Sequence, residues 1–205
     1  MHGVGFAIRN DLIHHLASLP HGVNERIMKL LLSLDRNQYA TVICAYAPTL
    51  DADDEVEEVF CSQLDEILTG THRHDKIILL GDFNARVGRD QELWKGVIGK
   101  EGVGNCNSNG IHLFTLCSEH QLVITNTMFR QRNKFKSTWQ HPRSKHWHLI
   151  DYAIVRSRDL KDVRFIKSIT SADDCWTDHQ AWGKRTCKPT SSSHPTKMAD
   201  RRYHV

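Results

Sequence analysis

The sequence predicts an α+β protein whose core is a pair of packed sheets with helices outside. Three observations carry this. Residues 76–84 form an apolar run, Lys76-Ile77-Ile78-Leu79-Leu80, that breaks at Gly81 and delivers Asp82-Phe83-Asn84. Such a run, closed by a glycine turn, reads as a strand covered on both faces. A helical stretch precedes it, and several short β-rich segments follow. Strands flank helices without strict βαβ alternation, so sheets packed against each other with outer helices suit the pattern.

Taken in order, Gly5 to Ile8 reads as a short apolar strand. Arg26 to Leu34 alternates in part, with Met28, Leu30, Leu32 and Leu34 on one face. Thr41 to Tyr46 is apolar on both faces, as in a sheet interior. The Asn37-Gln38 turn between them favours a hairpin over a leucine-rich helix. Val56, Val59, Phe60, Leu64, Ile67 and Leu68 keep the i, i+3, i+4 spacing of a helix. Asp53, Asp54 and Glu55 suit the positive end of its dipole, and Gly70 suits the C′ position. A glycine-rich loop then runs to Gly110, and a second helix starts near Asn107 or Ser108 to bury Ile111, Phe114 and Cys117. Leu122 to Thr125, Ser137 to Gln140, Leu149 to Val155 and Val163 to Ile169 read as strands.

At 205 residues with 40% hydrophobic and 25% charged content, the chain has the composition of one globular domain. A net charge of +3 permits a nucleic-acid partner without demanding one. No apolar stretch reaches membrane-spanning length and no signal-peptide core opens the chain, so the expectation is no membrane partner and an intracellular site. Six scattered cysteines without a C-x-x-C pair give no zinc or disulfide framework, and Cys44 and Cys117 lie in apolar runs as reduced core residues. Residues 180–205 carry Lys184, Arg185, Lys188, Lys197, Arg201 and Arg202 against one acid, Asp200. With little there to bury, the expected organisation is a domain over 1–179 and a basic, disordered tail over 180–205.

A carboxylate and a carboxamide at the mouth of a buried strand cost desolvation energy unless something polar or charged meets them. Hydrolytic sites on layered scaffolds are built this way, although an ordinary Asp-x-Asn turn gives the same residues. Three further stretches favour the site: Ala45-Tyr46-Ala47-Pro48, Leu149-Ile150-Asp151-Tyr152 and Thr177-Asp178-His179. In this order, with Gly81-Asp82-Phe83-Asn84 between the first and second, they resemble the endonuclease/exonuclease/phosphatase (deoxyribonuclease-I-like) superfamily. Gly5-Phe6-Ala7-Ile8-Arg9 and Trp147-His148-Leu149-Ile150-Asp151-Tyr152 have the texture of non-LTR retrotransposon endonuclease domains and the host proteins derived from them.

The resemblance covers residues 3 to 179 and implies a four-layer α/β sandwich of two mainly antiparallel sheets. It implies a Mg²⁺-dependent endonuclease acting on DNA, with Mn²⁺ as a possible substitute, and hence a nuclear rather than cytoplasmic setting. Asp82 would orient or deprotonate the attacking water, and Asn84 would donate to the phosphate. Asp151 would pair with His179, either to stabilise the oxyanion as a cation or to assist a proton transfer. Asp178 would bind the metal. Tyr46 would reach the phosphate with its hydroxyl, or simply pack in the core. No H-E-x-x-H or Cys/His pattern supports a zinc mechanism.

His141, His146 and His148 cluster around Trp147 without a metal-binding motif. Arg143, Lys145, His146 and Trp147 read instead as a basic aromatic loop that neutralises phosphates and stacks or wedges against bases, or else as a solvated loop. Thr138-Trp139 is expected to pack under the site, and Asn105, Asn107 and Asn109 to act as loop and cap residues.

The family's usual asparagine-bearing strand and glutamate-ended strand are not found ahead of Gly3, and the segment after His179 turns polar early. The expectation is therefore a domain lacking terminal strands, with impaired turnover. A non-catalytic nucleic-acid or protein-interaction remnant is the alternative. RNA or a phosphoinositide as substrate is a weaker third reading.

Overall fold

The computed structural model describes residues 3–34, 37–169 and 181–183, with 133, 169 and 181–183 described by backbone alone. Its strands are β1 (His21–Gly22), β2 (Ile27–Ser33), β3 (Tyr39–Tyr46), β4 (Lys76–Asp82), β5 (Leu122–Ile124), β6 (Trp139–Gln140), β7 (Trp147–His148), β8 (Asp151–Arg156), β9 (Lys167–Ile169) and β10 (Ala181–Gly183). The helices are α1 (Asp54–Gly70) and α2 (Ser108–Glu119). Six strands form one sheet in the order β1-β2-β3-β4-β8-β5, and β6-β7 and β9-β10 form two small antiparallel sheets. The architecture is the mixed α+β expected, with few helices.

Strand alternation sorts the six-stranded sheet into two faces. Ile43, Leu79, Ile154 and Ile124 share one rung and one face. They belong to the buried cluster that also holds Phe60, Leu64 and Leu68 of α1 and Leu113, Phe114 and Cys117 of α2. Val42, Ile78, Val155 and Val123 lie one residue along each strand and face the other way. Both faces are thus covered, which is why β3 and β4 read as continuous apolar runs.

The helices differ from expectation in detail. α1 buries Phe60, Leu64 and Leu68, whereas Val56 is 39% and Val59 50% exposed. Cys61 and Ile67 pack against the same cluster while only partly buried, so the stripe is centred on the Phe60, Leu64 and Leu68 row and excludes Val56 and Val59. Gly70 is the last helical residue, and Thr71 caps the end by donating its backbone N–H to Leu68 O and its hydroxyl to Ile67 O. In α2 the buried residues are Leu113, Phe114 and Cys117, and Ile111 points outward at 51% exposure. Asn107 caps α2 by accepting the Gly110 N–H at 2.9 Å.

Gly5 to Ile8 is extended but joins no ladder, and the first regular element is a 3₁₀ turn over Asn10–His15. The backbone of Gly5 reaches the Cys44 thiol, whose titration burial pushes up. Cys44 belongs to the face opposite the helices, so the segment crosses that face instead of extending the sheet. In β2 the buried residues are Ile27 and Leu30, whereas Met28 and Leu32 are half-buried. Cys44, Cys61, Cys106 and Cys117 are free thiols.

Gly81 is the residue on which the end of β4 turns. Its φ is +149°, and a Cβ there would fall 1.8 Å from Ala45 O on the neighbouring strand. A Gly81→Ala substitution is expected to cost about 2–5 kcal/mol, from backbone strain plus forced separation of β3 and β4. Urea denaturation midpoints of the two proteins check this, with an unchanged midpoint as the contrary result.

Candidate active site

The site is assembled by strand register. β3 and β4 run parallel, so both reach the same edge of the sheet at their carboxyl ends, and Tyr46 pairs with Asp82. β8 runs antiparallel to β4 and begins at that edge, so Asp82 also pairs with Asp151. Tyr46, Asp82 and Asp151 therefore form one rung across three adjacent strands. By alternation the rung lies on the face opposite α1 and α2. Residues facing one another in this way stand with Cβ atoms about 5 Å apart in the usual case, and like charges so placed repel.

Beyond β4 the chain reverses tightly. Asp82 Oδ1 accepts the backbone N–H of Asn84 at 2.8 Å, and Asn84 adopts φ +47°, a conformation asparagine tolerates better than most residues. The Asn84 side chain donates through Nδ2 to Ala47 O at 2.9 Å, tying the ends of β3 and β4 together. This uses one of two amide hydrogens and leaves Oδ1 as a further acceptor.

A ring of polar side chains holds this turn. Asn107 donates through Nδ2 to Asn84 O at 3.2 Å and accepts the Arg86 N–H at 2.8 Å. Its own N–H donates to Arg86 O at 3.1 Å. Asn109 donates to Pro48 O at 3.1 Å. The start of β8 is fixed from two sides. Asn126 accepts the Ala153 N–H at 2.8 Å and reaches Asp151 O at 3.4 Å. Thr138, 1% exposed, accepts the backbone N–H groups of Ile150 at 3.3 Å and Asp151 at 3.2 Å. Tyr152 points to the opposite face and donates to Leu149 O at 2.8 Å, with Ala85 O at 3.1 Å.

Arg143, Lys145, His146 and Trp147 are not on the rung. They form the tip and second strand of the β6–β7 hairpin, whose base is tied to the rung through Thr138 N–H donating to His148 O at 2.8 Å. The tip is well defined. His141 Nδ1 accepts the N–H groups of Arg143 at 3.2 Å and Ser144 at 3.1 Å, and Trp147 is 43% exposed. Trp139 lies between the rings of His141 and His148, at 5.4 and 5.7 Å. Asp178 and His179 lie outside the described residues.

Asp82 and Asp151 are hard oxygen donors brought side by side from adjacent strands. That chemistry fits a divalent cation of the Mg²⁺ type, which retains several waters when few protein ligands meet it. Among the described residues no group of three His, Cys, Asp or Glu gathers at one point, so no closed, zinc-like cage is formed there.

Four site-building residues were not singled out from sequence: Arg26, Arg86, Asn126 and, as more than a helix cap, Asn107. Arg26 lies over the Tyr46 ring at 5.5 Å and reaches Tyr46 O at 3.4 Å. Arg86 follows the turn directly, and its charge, after burial, helps to hold the His148 imidazole below the ordinary histidine range. The only sequence signal for Arg86 was its place two residues past Asn84.

A six-stranded α+β sheet with polar side chains gathered at one edge is the architecture of a hydrolase family. The chain belongs to the endonuclease/exonuclease/phosphatase superfamily, in the family described as Endonuclease-reverse transcriptase, whose pattern matches residues 40–183. It is 38% identical over 140 residues to craniofacial development protein 2 of Bos taurus, a match covering 68% of this chain and 23% of that protein. The chain thus spans about a quarter of the length of that relative. In fold it is similar to the 3′–5′ exonuclease NExo of Neisseria meningitidis, with a TM-score of 0.56, 22% identity, and coverage of 80% of this chain and 66% of the other. A structure of a substituted 3′ phosphatase NExo from Neisseria bound to product DNA hairpin is similar in fold as well, with a TM-score of 0.56, 20% identity and coverage of 80% and 66%. The endonuclease domain of TRAS1, a telomere-specific non-LTR retrotransposon, gives a TM-score of 0.54 at 16% identity, covering 77% and 61%.

Thr138→Val keeps the shape of the side chain and removes the acceptor shared by two buried N–H groups. The expected loss is about 1–3 kcal/mol, with Thr138→Ser close to the parent, measured by denaturation and by faster amide exchange at Ile150 and Asp151. For His148 the folded state disfavours the proton, so its contribution to stability is full above the ordinary imidazole range and is lost as pH falls through that range. Arg86→Gln should move the His148 titration upward, read by NMR of the imidazole. An unmoved titration would show that the two groups are not coupled.

Proposed function

We propose that this chain is a metal-dependent phosphodiesterase domain that nicks DNA. The observation that supports the reading is the rung of Tyr46, Asp82 and Asp151 with Asn84 two residues beyond. It gathers from distant parts of the chain the groups a phosphate and its attacking water require. In this reading Asp82 orients the water and accepts its proton as the water oxygen bonds to phosphorus. The bond from phosphorus to the departing sugar oxygen breaks in the same displacement. Asn84, with its remaining amide hydrogen, and the Tyr46 hydroxyl hold non-bridging oxygens. By the family resemblance Asp151 would pair with His179, and Asp178 would bind the metal. A bound Mg²⁺ or Mn²⁺ supplies countercharge to the phosphate oxygens.

The hairpin of Arg143, Lys145, His146 and Trp147 is the proposed DNA contact beside the rung. Fold neighbours titled an endonuclease domain and a 3′ phosphatase bound to a product DNA hairpin support nucleic acid over a soluble phosphate ester. A nuclear location follows from a DNA substrate. Among the described residues the rung offers two carboxylates, and we infer slow turnover on that ground.

Supercoiled plasmid incubated with the chain and Mg²⁺ should convert slowly to the relaxed form. Asp82→Ala and EDTA should each reduce conversion at least tenfold, the low end of what losing a positioned proton acceptor costs, roughly 10²–10⁴-fold in known enzymes. Conversion equal in parent and variant removes the catalytic assignment. DNA retention without conversion by either favours the binding-remnant reading.

A further inference from the structure

Between Glu119 and Asp151 the chain contains no acidic residue. Within that span Arg130, Arg132, Lys134 and Lys136 alternate over seven residues, ahead of Thr138. This run is separate from the hairpin tip and from the rung. A run of cations is commonly just a solvated face, but here it is built into a fixed shape. Gln131 donates to Ile166 O at 2.7 Å, anchoring the run to the approach of β9. Phe135 N–H donates to Arg132 O at 2.8 Å and closes a turn. Lys136, only 12% exposed, donates to Glu101 Oε2 at 2.6 Å and to Glu101 O at 3.2 Å.

The turn then draws a second element's charge onto the same spot. Lys134 Nζ lies 4.9 Å from the Phe135 ring centroid, and Lys167 Nζ of β9 lies 5.1 Å from it. Two ammonium groups from different elements share one aromatic ring. An exposed cation–π contact is a weak attraction, while the like charges of the two ammonium groups repel. A single anion between or beside them relieves both. Glu101 is already engaged by Lys136, and its carboxyl is held below the usual range, first by that bond and further by Arg130 and Arg89. Arg130, Arg132 and Lys134 are exposed.

We propose that Lys134 and Lys167, set against Phe135, together with the exposed Arg132 of the same turn, form a second nucleic-acid contact that grips the DNA backbone on the flank of the reacting phosphate. The inference rests on the DNA-nicking reading above and extends it to a surface away from the chemistry. Lys134 is four residues from Thr138, whose hydroxyl receives the Asp151 N–H. Fully extended, that chain reaches at most about 14 Å. At about 3.4 Å of rise per nucleotide of one strand, the ridge meets phosphates within roughly four nucleotides of the rung. It has no base-reading geometry, so it strengthens binding to any sequence alike.

The test is fluorescence anisotropy of a labelled mixed-sequence duplex titrated with the full chain at several salt concentrations. Removing one phosphate-neutralising cation lowers the slope of log affinity against log salt by about 0.9, so Lys134→Gln with Lys167→Gln should flatten it by about 1.8. Lys134→Arg with Lys167→Arg should keep the parent slope, and circular dichroism should match throughout. Should the double variant fold poorly, Lys134→Gln alone, at an exposed position, is expected to flatten the slope by about 0.9. A parent chain that binds or nicks DNA with a slope untouched by these neutralisations overturns the ridge assignment and leaves the active-site reading standing. A parent chain that neither binds nor nicks overturns both.

Discussion

The site depends on one pair of strands running the same way. In a sheet whose other described pairings are antiparallel, β3 and β4 are parallel and are joined through α1. A parallel pair cannot be closed by a tight turn and needs a crossover, which α1 provides by burying Phe60, Leu64 and Leu68 on one face. The consequence is that two carboxyl ends emerge at the same edge of the sheet, where open sheets commonly bind ligands. β8, entering in the opposite sense, then places Asp151 at the point where Asp82 leaves. A shift of one residue in either pairing would turn Asp82 or Asp151 toward the helices.

What keeps the rung in place is a set of amides more than a set of charges. Asn84, Asn107, Asn109 and Asn126 all bond backbone groups from other segments, doing for irregular chain what a ladder does within a sheet. Asparagine suits this because it presents a donor and an acceptor in one short plane. Close backbone approach serves the same end. A Cβ at Gly110 would sit 2.1 Å from Arg86 O, so only glycine lets α2 begin against the loop that follows Asn84. Rigid support of this kind matters because a misplacement of about 1 Å in a reacting group can cost 10²-fold in rate.

Much of this was legible in sequence, and what was missed has a common cause. The strands at β3, β4 and β8 could be read because both of their faces are buried, which leaves long apolar runs. The rung could be anticipated because Tyr46, Asp82 and Asp151 are polar residues at the ends of such runs. Gly5 to Ile8 misled because alternation alone cannot say whether a hydrogen-bonding partner exists. Val56, Val59 and Ile111 misled because helical spacing marks a stripe but not how wide a neighbour is available to cover it. Arg26, Arg86 and Asn126 were invisible because their roles depend on contacts with residues far off in the chain, Tyr46, His148 and Asp151 respectively. Asp178 and His179 fall outside the described residues, so their place rests on motif order alone.

The distribution of charge gives these parts a shared logic. The acids of the site occupy strand ends, and the ionisable side chains from His120 to Ile150 are all lysines, arginines and histidines, between two acids, Glu119 and Asp151. On the proposed function, a polyanion approaching the sheet edge meets attraction along the hairpin and the ridge, and repulsion at the rung itself. Attraction on the flanks with repulsion at the centre holds a phosphate chain without drawing it too deep. In the proposed reading the central phosphate is accepted with a cation beside Asp82 and Asp151. Field strength at the flanks would set how often DNA is held, and donor count at the rung would set how fast it is cut. The two quantities are carried by different residues, so each can be weakened while the other survives.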